Sequence, residues 1–299
     1  MKKRYLYILS ASVLTISTGI FLLRDHHEKT DGFSLSTIQS HLPYNPEYET
    51  LPLTLDEQRE VACAFSQDYT YLGRGGQSFS FVSNDQKYVI KFINHKKRKE
   101  PFYANYLTFK PFNQWIQKKR SIKNAKQKRD FLSYKIAKDE LQEQTGMIFA
   151  HLNKTKNLRK HLFLIDKAKR KFSVNLDDYE FLLQKKANMI YPQITFFMEN
   201  HQVDKAQSLI KNILSTMIYR SKKGIYDDDA KIHRNFGCIE DQILFIDVGR
   251  FTKASWIVND DEILKDLLMN TKKFSEWLSI HHPELNEFLN DSINHYRDL

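Results

Sequence analysis

The sequence predicts an α+β fold, with strands gathered in the first half and helices in the second, on three observations. Short apolar runs of alternating pattern, parted by Gly, Asn and Asp, fill Tyr69–Ile93 and recur near Phe163 and Phe181. Apolar residues then repeat at helical spacing over long stretches, most regularly from Asp204 to Tyr219. Hydrophobic residues make up 41% and aromatic residues 13% of 299, enough for a packed core and too much for a disordered chain.

Charge and cysteine content narrow the class. Lys and Arg number 46 against 36 Asp and Glu, a formal charge of +10, which favours anionic partners such as phosphates, acidic lipid headgroups or nucleic acid. Cys63 and Cys238 are too few and too far apart for a disulfide framework or a Cys-based zinc site.

Residues 1–24 read as a membrane anchor. Lys2, Lys3 and Arg4 precede an uncharged run, Tyr5–Leu23, close to the roughly twenty residues that a bilayer requires. No small-x-small site closes the run, so an uncleaved single-pass anchor is preferred to a cleaved signal peptide. Arg24 and Lys29 partly balance the leading cations, which leaves the side of the folded part open. Residues 25–56, with Pro43, Pro46 and Pro52, read as a tether without chemistry.

The folded part begins near Leu55 with a short helix. Tyr69–Leu72, a glycine-rich hairpin from Gly73 to Val82 and Lys87–Ile93 then read as three strands. Glycines at a hairpin tip let backbone N–H groups approach phosphate oxygens without a Cβ in the way. Lys91 stands in an apolar run, where a lysine is costly without a partner. A plain hairpin with an exposed Lys is the bland alternative.

Residues 95–129 form a basic insert with Glu100 as its single acid, read first as a solvated face and second as a contact for anionic lipid. Nucleic acid is a weaker partner: Tyr103, Tyr106, Phe109, Phe112 and Trp115 interleave with the cations, but at a spacing that suits helix packing equally well. Phe131–Leu152 is expected to be one packed helix, with Glu140 and Glu143 off its apolar stripe. Phe163–Asp166 and Tyr179–Lys185 read as strands around a polar loop, 167–178. Helices follow near Thr195–Asn200, Asp204–Tyr219, Asp260–Met269, Lys272–Ile280 and from Glu284 onward.

The chemistry concentrates in Gly224–Phe251. Asp227, Asp228 and Asp229 are followed by Asn235, then by the apolar strand Ile243–Ile246, which ends in Asp247-Val248-Gly249. A carboxylate and a carboxamide with a second carboxylate nearby offer hard oxygen ligands for Mg²⁺ and a proton acceptor. His233 and Arg234 read as loop residues, with a phosphate contact from Arg234 as the functional alternative, and His281-His282 before Pro283 as a surface turn.

The ordered set of Gly-rich hairpin, Val89-Ile90-Lys91 strand, Glu-bearing helix, Asp and Asn loop, and Asp-x-Gly resembles the protein-kinase-like superfamily, especially its divergent bacterial and aminoglycoside-phosphotransferase-type branches. The resemblance spans Leu72–Phe251 and departs from the pattern twice. Ala230 occupies the position five before Asn235, where the catalytic Asp is expected, so Asp229 requires a loop one residue longer, and Asp227 and Asp228 remain alternatives. Ser78 stands where a third Gly usually sits. It implies a two-lobed fold: an N-lobe at 57–187, with a small antiparallel sheet, and a reduced helical C-lobe at 188–299 lacking a peptide-substrate activation segment. It also implies ATP and Mg²⁺ as cofactors. Gly73, Gly75, Gly76 and Ser78 would cover the phosphates, Lys91 would contact them, and Glu140 or Glu143 would orient Lys91. Gln184 would lie in the adenine-contacting connection, Asp229 would be the base, and Asn235 and Asp247 would hold the metal. The function expected is a membrane-tethered phosphotransferase of unknown acceptor; the alternative is a pseudokinase that binds nucleotide or partners without turnover.

Overall fold

A computed structural model describes residues 17–19, 21, 24, 25, 27–96 and 110–297. Most of the apolar run Tyr5–Leu23 and the insert residues 97–109, with Tyr103, Tyr106 and Phe109, lie outside them. Among the described residues no helix is long and apolar enough to cross a membrane.

The fold is α+β. Thr54 opens helix α1 (Leu55–Ala64): its hydroxyl accepts from Glu57 N at 3.3 Å while Glu57 Oε2 accepts from Thr54 N at 2.6 Å, a reciprocal cap that fixes the helix start. Strands β1 (Tyr69–Arg74), β2 (Ser78–Ser83) and β3 (Tyr88–Ile93) form the expected meander. Helix α2 (Lys110–Asp139), β4 (Met147–His151), β5 (His161–Ile165), β6 (Lys171–Asn175) and β7 (Phe181–Lys185) follow. The seven strands make one curled sheet in the order β4-β7-β3-β2-β1-β5-β6, antiparallel throughout except for β1 beside β5.

The period of two in the strands divides the core. Ile90 and Phe92 of β3 face one side with Phe79, Phe81, Phe181 and Leu183, where α1 supplies Val61 and Ala64. Ile93 and Leu182 belong to the other side, packed with Phe131, Tyr134 and Ala137 of α2. Lys91 alternates with Ile90 and Phe92, lies opposite Leu182 across the ladder, and so faces this second side.

The second half is mainly helical: α3 (Ile190–Glu199), α4 (Val203–Lys222), α5 (Asp260–His281) and α6 (Pro283–Arg297). Leu209, Ile213 and Met217 of α4, Phe274 and Leu278 of α5 and Leu285 and Leu289 of α6 join the same core. Two small sheets hold the acid-rich stretch. One is β8 (Asn188–Met189), β10 (Phe236–Ile239) and β11 (Gln242–Phe245); the other pairs β9 (Ile225–Asp227) with β12 (Phe251–Lys253).

Four expectations change. Phe131–Leu152 is not one helix: α2 ends at Asp139, Gly146 takes a left-handed φ of 58° after a single turn, and Met147–His151 pairs with β7. A run of aromatic and branched residues after a left-handed glycine favours the sheet over continued helix. The loop 167–178 contains β6, because Phe172 and Val174 alternate into the sheet beside β5. The two helices expected between Asp260 and Ile280 are the single α5. The tether also departs from expectation. Phe33 and Ile38 are fully buried, Phe33 meeting Phe79, Phe81 and Phe172 edge to face, and Tyr48 packs on Phe131. Burying one such ring is worth about 1.5–3 kcal/mol, so this part of the segment belongs to the fold.

Candidate functional site

The glycine hairpin and the Asp-x-Gly turn meet on one cleft. Its wall comprises Gly75, Gly76, Ser78 and Ser80 from the hairpin, Lys91 and Leu182 from the sheet, Tyr134 from α2, and Arg234, Ile246, Asp247 and Val248 from the opposite side. Gly75 N donates to Ser78 O at 2.9 Å and closes the hairpin tip. Gly73 pairs with Ser80 inside the ladder and is not part of the wall.

Lys91 donates its ammonium to the carbonyl oxygen of Ile246, the residue before Asp247. Burial pushes its pKa down to about 8, and the Asp247 carboxylate offsets only part of this. Asp247 is exposed, with Oδ1 accepting from Gly249 N at 3.3 Å. Neither expected glutamate serves Lys91. The helix stops before both: Glu140 pairs with Lys253, while the Glu143 carbonyl receives Gln242 Nε2 at 2.9 Å. Gln184 is likewise displaced from its expected role. It sits within β7, buried, donating Nε2 to Thr145 O at 2.9 Å, and the backbone N–H groups of Lys185 and Lys186 are taken by Gly146 O and Lys87 O.

The acidic stretch separates into three roles. Asp227 is buried, accepts from Asp229 N at 3.0 Å and faces Arg220; burial pushes its carboxyl up to about 6, with Arg220 opposing. Asp228 is exposed. Asp229 is partly buried between Lys231 and Arg234. Burial works to raise its pKa, but the Lys231 ammonium, with help from Arg234, outweighs this and holds the carboxyl below its ordinary value. Asn235 is buried, donates Nδ2 to Asp229 O, and receives Ile246 N on its own carbonyl at 2.8 Å. Its carboxamide oxygen accepts no hydrogen bond among the described residues.

Two residues missed in the sequence complete the site. Arg220 is wholly buried, bonded to Asp266 of α5 and 3.8 Å from Asp227, and so anchors the turn that presents Asp229. It continues the Leu209, Ile213, Met217 stripe of α4; a cation on an apolar face was the available signal. Gln77 lies across the cleft, its Oε1 accepting from Tyr134 OH at 2.6 Å. A methyl added at Gly249 would stand 1.9 Å from that same oxygen, so Gly249 makes room for the glutamine. The cavity is about 130 Å³, below the roughly 300–1,000 Å³ typical of ligand pockets, so it would have to open to admit a nucleotide.

No family model matches this sequence, and no curated protein matches it. Among the described residues no three His, Cys, Asp or Glu side chains are grouped as a metal site. A carboxylate with a carboxamide is nonetheless the donor set suited to Mg²⁺, which is commonly held by one or two protein carboxylates plus substrate phosphates.

Proposed function

We propose that the chain is a two-lobed kinase-like phosphotransferase using ATP and Mg²⁺. The observation that carries the reading is the convergence of Lys91, Asp247 and the Gly75–Ser78 hairpin tip on one cleft, from segments more than 150 positions apart. Lys91, once released from the Ile246 carbonyl, contacts the α and β phosphates, and the N–H groups of the tip cover them. Asn235 and Asp247 would hold Mg²⁺, which when bound neutralises charge on the phosphate oxygens. Asp229, kept ionised at neutral pH by Lys231 and Arg234, accepts the proton of the acceptor hydroxyl. Arg220 keeps the Asp229 turn in place from behind.

We also infer that Tyr5–Leu23 anchors the chain in a membrane as a single span, with the basic insert 95–129 toward anionic lipid.

A second reading, a pseudokinase that binds nucleotide or a partner without turnover, is favoured by Gln77 across the cleft and by the pairing of Glu140 with Lys253 rather than Lys91. Melting of the full chain with and without MgATP, followed by transfer from γ-labelled ATP, separates the two. A raised melting temperature with label moved to an acceptor, and loss of transfer in Asp247→Ala, supports the enzyme. A raised melting temperature with no label moved supports the pseudokinase. No nucleotide effect on either measurement overturns the enzyme and the nucleotide-binding pseudokinase alike.

A further inference from the structure

A second recess of about 660 Å³ opens between α2 and the acidic turn. Lys126 and Arg129 of α2, Arg250 after the Asp-x-Gly turn, and Asp228, Asp229 and Lys231 of the acidic turn line it. Asp229 also lies 3.3 Å from Arg234, which lines the Lys91 cleft, so one ion pair links the linings of the two cavities.

The cations of the recess are not fully used by the protein. Lys231 is taken by Asp229. Arg129 Nη2 and Arg250 Nη1 stand 3.7 and 3.9 Å from Asp130 Oδ1, near enough for attraction and too far for hydrogen bonds. Arg129 Nε is buried with no hydrogen-bond partner among the described residues. Lys126 is exposed. Planar guanidinium donors left in this state match the oxygens of a phosphate group, which each can bind through two parallel bonds. The lining holds four cations against two carboxylates, and one of those carboxylates is already paired.

We propose that this recess binds the phosphate of the acceptor, so that the acceptor is a hydroxyl-bearing phosphate ester, either free or as the headgroup of an anionic lipid. The identity as acceptor rests on the phosphotransferase reading; the phosphate site does not. With the phosphate on Arg129, Arg250 and Lys126, a hydroxyl a few bonds away reaches Asp229. Its oxygen forms the new bond to the γ-phosphorus and its proton passes to the Asp229 carboxylate. The bond from that phosphorus to the β-phosphate oxygen breaks, and ADP leaves with the electron pair.

The test is calorimetric titration of the full chain with glycerol 3-phosphate and inorganic phosphate, plus co-sedimentation with phosphatidylglycerol and phosphatidylcholine vesicles, all without nucleotide. Arg250→Gln and the exposed Lys126→Glu are each expected to weaken phosphate binding at least about tenfold. Circular dichroism and melting check that both variants fold. Titratable binding of glycerol 3-phosphate, weakened in both variants, supports the site and a free ester. Binding to phosphatidylglycerol vesicles alone, weakened in both variants, supports the site and a lipid headgroup. No binding of any probe, or binding unchanged in both variants, overturns it. Phosphate binding that is weakened in both variants while MgATP leaves wild-type melting unmoved retains the site and removes the phosphotransferase reading.

Discussion

Two clusters of charge lie on opposite sides of the turn Asp227–Asp229, and their environments differ. Behind the turn, Arg220 is fully buried between Asp227 and Asp266, and Asn270 adds a bond to Asp266 at 2.8 Å. In front, Asp247 is exposed, Lys91 rests on a backbone carbonyl, and Asp229 shares its charge with two cations at the mouth of a recess. The rear cluster is enclosed by the chain itself: its cation stands between two buried carboxylates in a low dielectric, although Nε and Nη1 of Arg220 make no hydrogen bond among the described residues. The front cluster keeps capacity for something outside the chain. Charge density alone distinguishes neither; the burial and the partners do.

The largest expected effect breaks the rear cluster. Arg220→Leu leaves Asp227 and Asp266 buried without their cation and should cost about 3–5 kcal/mol, read from denaturant unfolding. A loss below about 1 kcal/mol would mean that the pair is not what anchors the turn.

Next in size is a packing test at the edge of the front cluster. A Cβ on Gly237 would stand 2.7 Å from Ala187 Cβ and 2.8 Å from Asn188 O, so Gly237→Ala forces backbone to shift and should cost about 1–3 kcal/mol. In Gly249→Ala the three nearest atoms to the new Cβ all belong to the flexible end of Gln77, so the change should cost less than about 1 kcal/mol while expelling that side chain. Equal costs at the two glycines would contradict the account of Gln77 as a movable cover.

Lys91 sharpens the comparison through pH. Its folded pKa of about 8 lies below the ordinary 10.5, so its charged form disfavours folding. That penalty is absent above about pH 10.5 and grows as pH falls toward 8, below which it is complete. Lys91→Met should therefore raise the melting temperature at pH 7 and lose that advantage by pH 10.5; a constant difference across the range would refute the burial argument.

The smallest effect on stability is expected at Asp247. Because the side chain is exposed, Asp247→Ala should change unfolding free energy by no more than about 0.5 kcal/mol, yet abolish label transfer from ATP. A large destabilisation would move Asp247 into the structural class with Arg220.

The legibility of this chain followed the range of its interactions. The hairpin Tyr69–Ile93 was readable because turn chemistry and alternation are local, and the same holds for α4 and the final helix. The helix expected to reach Leu152 ends early because the pairing of β4 with β7, which is non-local, overrides the helical period that Ile148 and Leu152 fit. The early end carries the glutamates with it. Residues 25–56 looked like a tether because their prolines are local signals, whereas the cluster around Phe33 draws partners from β2 and β6.

Sequence by itself determined the α+β class, the glycine-tipped meander, the position of Lys91 within it and the acid-rich stretch before Asp247. These follow from period, turn residues and composition, which act between near neighbours. Only the tertiary structure decided that Lys91 and Asp247 share a cleft, that Gln77 lies across it, and that Asp227 is structural while Asp229 is presented to the recess. Side chains with the same chemistry receive different roles from burial and from partners distant in the chain, and neither is written in local spacing.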